Sequence, residues 1–208
     1  MKLPAAPDVT DSIRAFWDWF SAHATELAAS TIPDGVIAEL EDRLFAIHQL
    51  DWEIGPGRKA PYMFALSPRG DAKLLALTRS VIAQAPELAD WEFHATKPPR
   101  TWNLVVILTV DGGEVEIDGK LWEFVLYKFK DGTYDLLFKP DAAQALSDEY
   151  LDYAGTIIVD GELGEERRME LVGDIEVVKA WDEGAMRFAR KLEPGLLARL
   201  LAPQSQKP

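Results

Sequence analysis

Apolar residues recur near the start of the chain with the repeat of one helix face. Ile13, Phe16, Trp17, Phe20, Ala24 and Leu27 share such a face, and Thr10 or Asp11 stands where a side chain can cap its first turn. Ile32-Pro33-Asp34-Gly35 interrupts the pattern. It resumes from about Val36 to His48, with Ile37, Leu40, Leu44 and Ile47 inward. So short a connection predicts a helical hairpin. Trp19 falls off the apolar stripe, which predicts an exposed contact residue.

The period then drops to two. Leu50 to Ile54 and Tyr62 to Leu66 alternate as strands do, and Gly55-Pro56-Gly57-Arg58-Lys59 joins them as a hairpin loop. Asp71 to Ala85 reads as a helix and Trp91 to Thr96 as a strand, which together make a crossover unit. Asn103 to Val110 is apolar at nearly every position, the pattern of a strand covered on both faces. Glu114 to Ile117, Leu121 to Phe129 and Thr133 to Lys139 continue an antiparallel meander, its last link a two-residue Asp131-Gly132 turn. A helix capped by Asp141 follows, with Leu146, Tyr150, Tyr153, Ala154, Ile157 and Ile158 inward and its end near Gly161 or Gly164. Glu165-Glu166-Arg167-Arg168 reads as a solvated turn. Ile175 to Lys179 is a last strand, and Gly184 to Leu201 a terminal helix broken or kinked at Pro194.

These elements predict an α+β fold: one mixed, mostly antiparallel sheet of about six to eight strands, with the N-terminal helical hairpin and further helices packed on it. No linker-like shift divides the chain, so residues 1–208 are expected to form a single domain with flexible ends at 1–9 and 203–208.

Composition narrows the chemistry. The 208 residues include no cysteine, which removes disulfides, thiolate metal sites and cysteine nucleophiles. Acidic residues outnumber basic ones 35 to 22, a net charge of −13, which disfavours nucleic acid and anionic membrane surfaces. The N-terminus lacks the apolar run of a signal peptide, and no apolar stretch is long enough to cross a bilayer, so a cytoplasmic location is expected. Carboxylates gather at Glu39, Glu41 and Asp42, at Asp148, Glu149 and Asp152, and at Glu162, Glu165 and Glu166. They serve solubility, or they form an acidic surface for a basic protein partner.

No dinucleotide fingerprint, phosphate-binding loop or nucleophile elbow occurs, so no cofactor is expected. His23, His48 and His94 do not pair at ligand spacing, so no metal is expected either. The stretch from Trp91 to Arg100 is the richest in chemistry. In a strand, Glu92 and His94 share one face, where a carboxylate beside an imidazole makes an acid–base pair. Lys97 and Arg100 bracket the rigid Pro98-Pro99 step and could hold an anion, and Glu53 could line the same cleft. Alternation alone also explains this pattern, with Trp91, Phe93 and Ala95 in the core and Glu92 and His94 facing solvent.

The succession Phe16-Trp17-x-x-Phe20, Trp52-Glu53-Ile54-Gly55, the run from Ala85-Pro86 through Trp91-Glu92-Phe93 to Lys97-Pro98-Pro99, and Leu163-Gly164-Glu165 resembles a bacterial family of uncharacterised cytosolic proteins. The resemblance implies a bacterial source and a shared fold, and it carries over no catalytic residue. The expectation is therefore a non-enzymatic binding or regulatory protein that meets a protein partner through its acidic surface. The alternative is a small-molecule-binding protein or weak hydrolase built on Glu92 and His94.

Overall fold

The computed structural model describes residues 9–141 and 146–202. The expected flexible tail 203–208, and all of the expected arm except Val9, lie outside the described residues. Backbone packing divides the chain between Lys97 and Pro98 into two compact units. The broad α+β class holds, but the single sheet does not: the strands form sheets of three, two and four. Alternation identifies strands and says little about which of them pair.

The first unit contains helices α1 (Val9–Leu27), α2 (Asp34–Ile47) and α3 (Ala72–Ile82) and strands β1 (Asp51–Pro56), β2 (Tyr62–Ser67) and β3 (Trp91–His94). Helix α1 begins at Val9, so Thr10 and Asp11 lie inside its first turn and do not cap it. The α1 stripe of Ile13, Phe16, Trp17, Phe20 and Leu27 is buried, and α1 packs on α2. β1 and β2 form the expected hairpin. β2 and β3 are parallel, as a strand–helix–strand crossover through α3 requires. Asp71 caps α3 by accepting the Lys73 amide at 2.7 Å.

Register sorts the sheet into two faces. Trp52, Ile54, Phe64, Leu66, Trp91 and Phe93 belong to the same core cluster as the α1 rings. Their edges meet ring faces, with centroids 4.9 Å apart for Trp17–Phe93 and 5.0 Å for Phe20–Trp91. The indole of Trp17 donates to the Val81 carbonyl at 2.9 Å, which satisfies a polar atom inside this apolar packing. The opposite face carries the rows Glu53–Ala65–His94 and Gly55–Met63–Glu92.

The second unit opens with β4 (Val105–Val110) and β5 (Gly113–Asp118), a two-stranded sheet. A 3-10 turn, Gly119–Leu121, then breaks the expected meander. Gly119 donates to the Leu104 carbonyl at 2.8 Å, and a Cβ there would sit 2.9 Å from that oxygen. The turn thus locks onto the start of β4, and the chain leaves for another sheet. Contrary to what its apolar run predicts, β4 is not covered on both faces: Val106 and Leu108 are buried, but Ile107 between them is 60% exposed.

The four-stranded sheet runs β8 (Val172–Val177), β7 (Tyr134–Lys139), β6 (Glu123–Lys128), β9 (Arg190–Lys191). The β6–β7 link is three residues, not two. Phe129 N donates to Thr133 O, Gly132 N donates back to Phe129 O, and Gly132 takes a φ of 93°. That is the longer glycine-bulge form of hairpin. Helix α4 (Asp148–Leu163) starts later than the Asp141 cap predicts, and residues 142–145 lie outside the described set. It buries Leu151, Ala154 and Ile158 against Phe124, Leu136 and Phe138.

Gly164, at φ 80°, ends α4 and starts α5 (Glu165–Leu171), so the expected solvated turn is helical. Glu162 and Glu165 are buried, at 4% and 1% exposure. Glu162 accepts the Gly195 amide at 2.9 Å, and Arg168 pairs with Asp160 at 2.5 Å. The expected terminal helix is instead α6 (Glu183–Met186), β9 and α7 (Leu196–Leu200). Asp182 caps α6, and Pro194-Gly195, with Gly195 at φ 72°, sets the start of α7.

Candidate functional site

Glu92 and His94 are brought together. His94 Nε2 lies 3.2 Å from Glu92 Oε1. The same carboxylate is already engaged: Oε1 accepts the Arg58 amide at 2.7 Å and Oε2 the Lys59 amide at 2.8 Å. Burial raises the Glu92 pKa, but these two amides and then His94 outweigh it, and the pKa falls from 4.5 to about 2. A carboxylate so acidic is a poor proton acceptor at neutral pH. What it does is pin the loop after β1. Gly57 completes that latch, because a Cβ there would lie 2.4 Å from the Ala60 carbonyl oxygen and 3.1 Å from the Glu92 carboxyl carbon.

Glu53 shares a register row with His94, one strand removed, so their backbones are about 10 Å apart. Lys97 closes the first unit and Arg100 belongs to the second. The Arg100 amide donates to the Gly161 carbonyl at 2.6 Å, and its guanidinium lies over Trp102, 5.6 Å from the ring centroid. Trp102 in turn sits against Gly161, where a Cβ would clash with the indole at 2.4 Å.

Trp19 is 6% exposed, so it is not the contact residue that spacing predicts. Its indole donates to Glu39 at 2.8 Å, its ring stacks on His23, and the Arg43 guanidinium lies 5.1 Å from its centroid. Helix α2 supplies Glu39 and Arg43 one turn apart, and single-helix spacing carries no trace of that partner. The acidic groups are also partly spent. Glu39 serves Trp19, Asp148 pairs with Lys179 at 2.9 Å, Asp152 accepts the Val177 amide, and Glu162 and Glu165 are buried.

The sequence reading missed a cleft along β6. It has a volume of about 390 Å³ and is walled by Val125, Tyr127, Tyr134, Phe188 and Leu200. Among the described residues, Lys128 and Arg190 are the charged ones in its lining. The Lys128 ammonium lies 5.7 Å from the Tyr134 centroid. Phe188 at its wall is 68% exposed and Tyr127 39% exposed; Met186 and Phe129, two residues before Phe188 and one after Lys128 in the chain, are exposed as well. β9 pairs with β6 only at Glu123 and Phe124. Upstream of Arg190 the chain turns away into α6, so beyond Phe124 that edge of β6 has no strand partner among the described residues. A helix reading of Gly184 to Leu201 hides this, because it converts the short strand and its open neighbour into one face of a helix.

Among the described residues, no helix is long and apolar enough to cross a membrane. No protein-family model matches the chain, and no curated protein and no solved structure is significantly similar to it.

Proposed function

We propose that this is a binding protein that engages a protein partner through the cleft along β6 and the exposed apolar side chains around it. One observation carries the reading: a cleft of about 390 Å³ is flanked by Phe188, which is 68% exposed. An exposed ring beside a formed cavity leaves apolar area in water that a partner would cover. The acidic clusters are the weaker candidate, because Glu39, Asp148, Asp152 and Glu162 of their nine carboxylates hold groups of this chain, and Glu162 and Glu165 are buried. On this reading the charge of −13 acts mainly on solubility.

The test is capture from lysate of the source cells with the intact chain, its Phe188→Asp variant and its Glu41→Lys/Asp42→Lys variant. The reading expects proteins retained by the wild type and the lysine variant but lost with Phe188→Asp. Loss with the lysine variant alone would return the contact to the acidic surface.

A second reading has its own support in the 3.2 Å contact between His94 and Glu92. There the pair and Glu53 would bind a small molecule or support a weak hydrolysis. His94→Gln would then remove ligand binding with little change in stability.

A further inference from the structure

We infer that the occupant of the β6 cleft is an extended, acidic peptide segment that adds to the sheet as a strand. This rests on the binding reading above and names the chemistry of the partner.

The backbone comes first. In an antiparallel pair, residues alternate between those bonded to the neighbour and those facing away from it. Phe129 N bonds Thr133 O, so Phe129, Tyr127 and Val125 direct their amides and carbonyls toward β7. Trp122, Phe124, Leu126 and Lys128 direct theirs to the other edge. Leu192 N donates to Trp122 O on that edge at 3.0 Å, which agrees, and Arg190 pairs with Phe124. β9 ends there. Leu126 and Lys128 thus continue a row of edge-facing groups that β9 has begun and leaves incomplete. A peptide in line with β9 would continue it by strand addition.

The side chains set the composition. The cleft opens along this same stretch of β6, so a strand laid there places alternate side chains into it. Its walls at Phe188, Leu200 and Tyr134 favour apolar groups, and its two charges, Lys128 and Arg190, favour carboxylates. In a chain of net charge −13, a cleft whose described lining carries two cations and no carboxylate, beside an open edge, selects an acidic ligand. Lysines on a strand edge also discourage unwanted pairing. They then reject basic or uncharged strands and admit acidic ones, which is a form of specificity.

The experiment uses the full chain and two acetylated, fluorescein-labelled eight-residue peptides, one alternating valine with glutamate and one alternating valine with lysine. Anisotropy titrations at low and physiological salt are paired with amide hydrogen exchange. The valine–glutamate peptide should bind at least tenfold more tightly than the valine–lysine peptide and weaken as salt rises. Exchange at Leu126 and Lys128 should slow on binding. Lys128→Glu/Arg190→Glu should reverse the preference, and N-methylation of alternate peptide amides should abolish binding. Equal binding of both peptides, or protection elsewhere in the chain, overturns the inference. So does concentration-dependent self-association that protects Leu126 and Lys128, which would make a second copy the occupant. Failure of the peptides while Phe188→Asp still abolishes lysate capture rejects the acidic strand but leaves the binding reading standing. Failure of both rejects both.

Discussion

In the first unit, rings fill the helix-facing side of the sheet, and on the other side the carboxylate of Glu92 is committed to the Arg58 and Lys59 amides. In the second unit, the helix-facing side is equally dry around Trp122, Phe124 and Phe138, yet one edge of β6 stays open and Phe188 stands in solvent. The same physics of burial acts in both. They differ in where polar groups find partners: within the chain in the first unit, and at the β6 edge of the second with none among the described strands. Groups satisfied internally contribute to stability, and groups left at an edge are free to contribute to recognition.

The largest expected effect separates the two kinds of aromatic residue. Phe20→Ala removes a fully buried ring and should destabilise the protein by about 3–5 kcal/mol in urea unfolding. Phe188→Ala should change stability by no more than about 0.5 kcal/mol. Comparable losses at both positions would erase the contrast. Glu92→Gln comes next, at about 1–3 kcal/mol, because two backbone amides lose a charged acceptor. Its pH dependence has a definite sign. The folded-state pKa is depressed to about 2 from 4.5, so Glu92 stabilises the fold above pH 4.5 and loses that contribution as pH falls toward 2. Urea midpoints across that window should fall more steeply for the wild type than for Glu92→Gln, and parallel curves would show the latch contributes nothing.

Gly57→Ala should cost about 1–3 kcal/mol, since the new methyl meets backbone oxygens at 2.4 and 2.9 Å that cannot swing aside. A thermal scan with the Tm unchanged would mean the loop yields freely. The smallest effect has the opposite sign. Gly35 lies in the first turn of α2, and a methyl added there would meet nothing within 4 Å, so Gly35→Ala should stabilise by about 0.4–1 kcal/mol. A loss at this position would point to strain in the α1–α2 connection.

Much of the local structure is legible in the sequence. Both N-terminal helices, the β1–β2 hairpin and the β2–α3–β3 crossover follow from period, turn residues and lengths. Pairing beyond neighbours does not, because a strand reads the same whichever strand it meets, and only the Gly119 contact with Leu104 shows why β5 and β6 part. The Glu92–His94 contact is legible from alternation, whereas the amides that claim Glu92 belong to residues 33 and 34 positions away. Buried Glu165 escapes a reading that equates charge with solvent, because the helix that carries it begins at Gly164, where the sequence shows only a break. The β6 edge is invisible for a similar reason: β9 is two residues long, below the length at which alternation can be recognised.

Trp181 gives the protein an optical and magnetic reporter at the β9-paired start of β6. Its indole donates to Glu123 at 3.0 Å, and this bond, together with Lys139, lowers the Glu123 pKa. Glu123 is the first residue of β6 and pairs with Lys191 of β9. With fluorinated tryptophan, the seven indoles become seven separate resonances, each reading its own surroundings. The Trp181 line would move when β6 takes up a strand, while the Trp17 line, tied to Val81 inside the aromatic core, would serve as an internal standard. Occupancy could then be followed in a living cell, with no label on the partner and before that partner is identified.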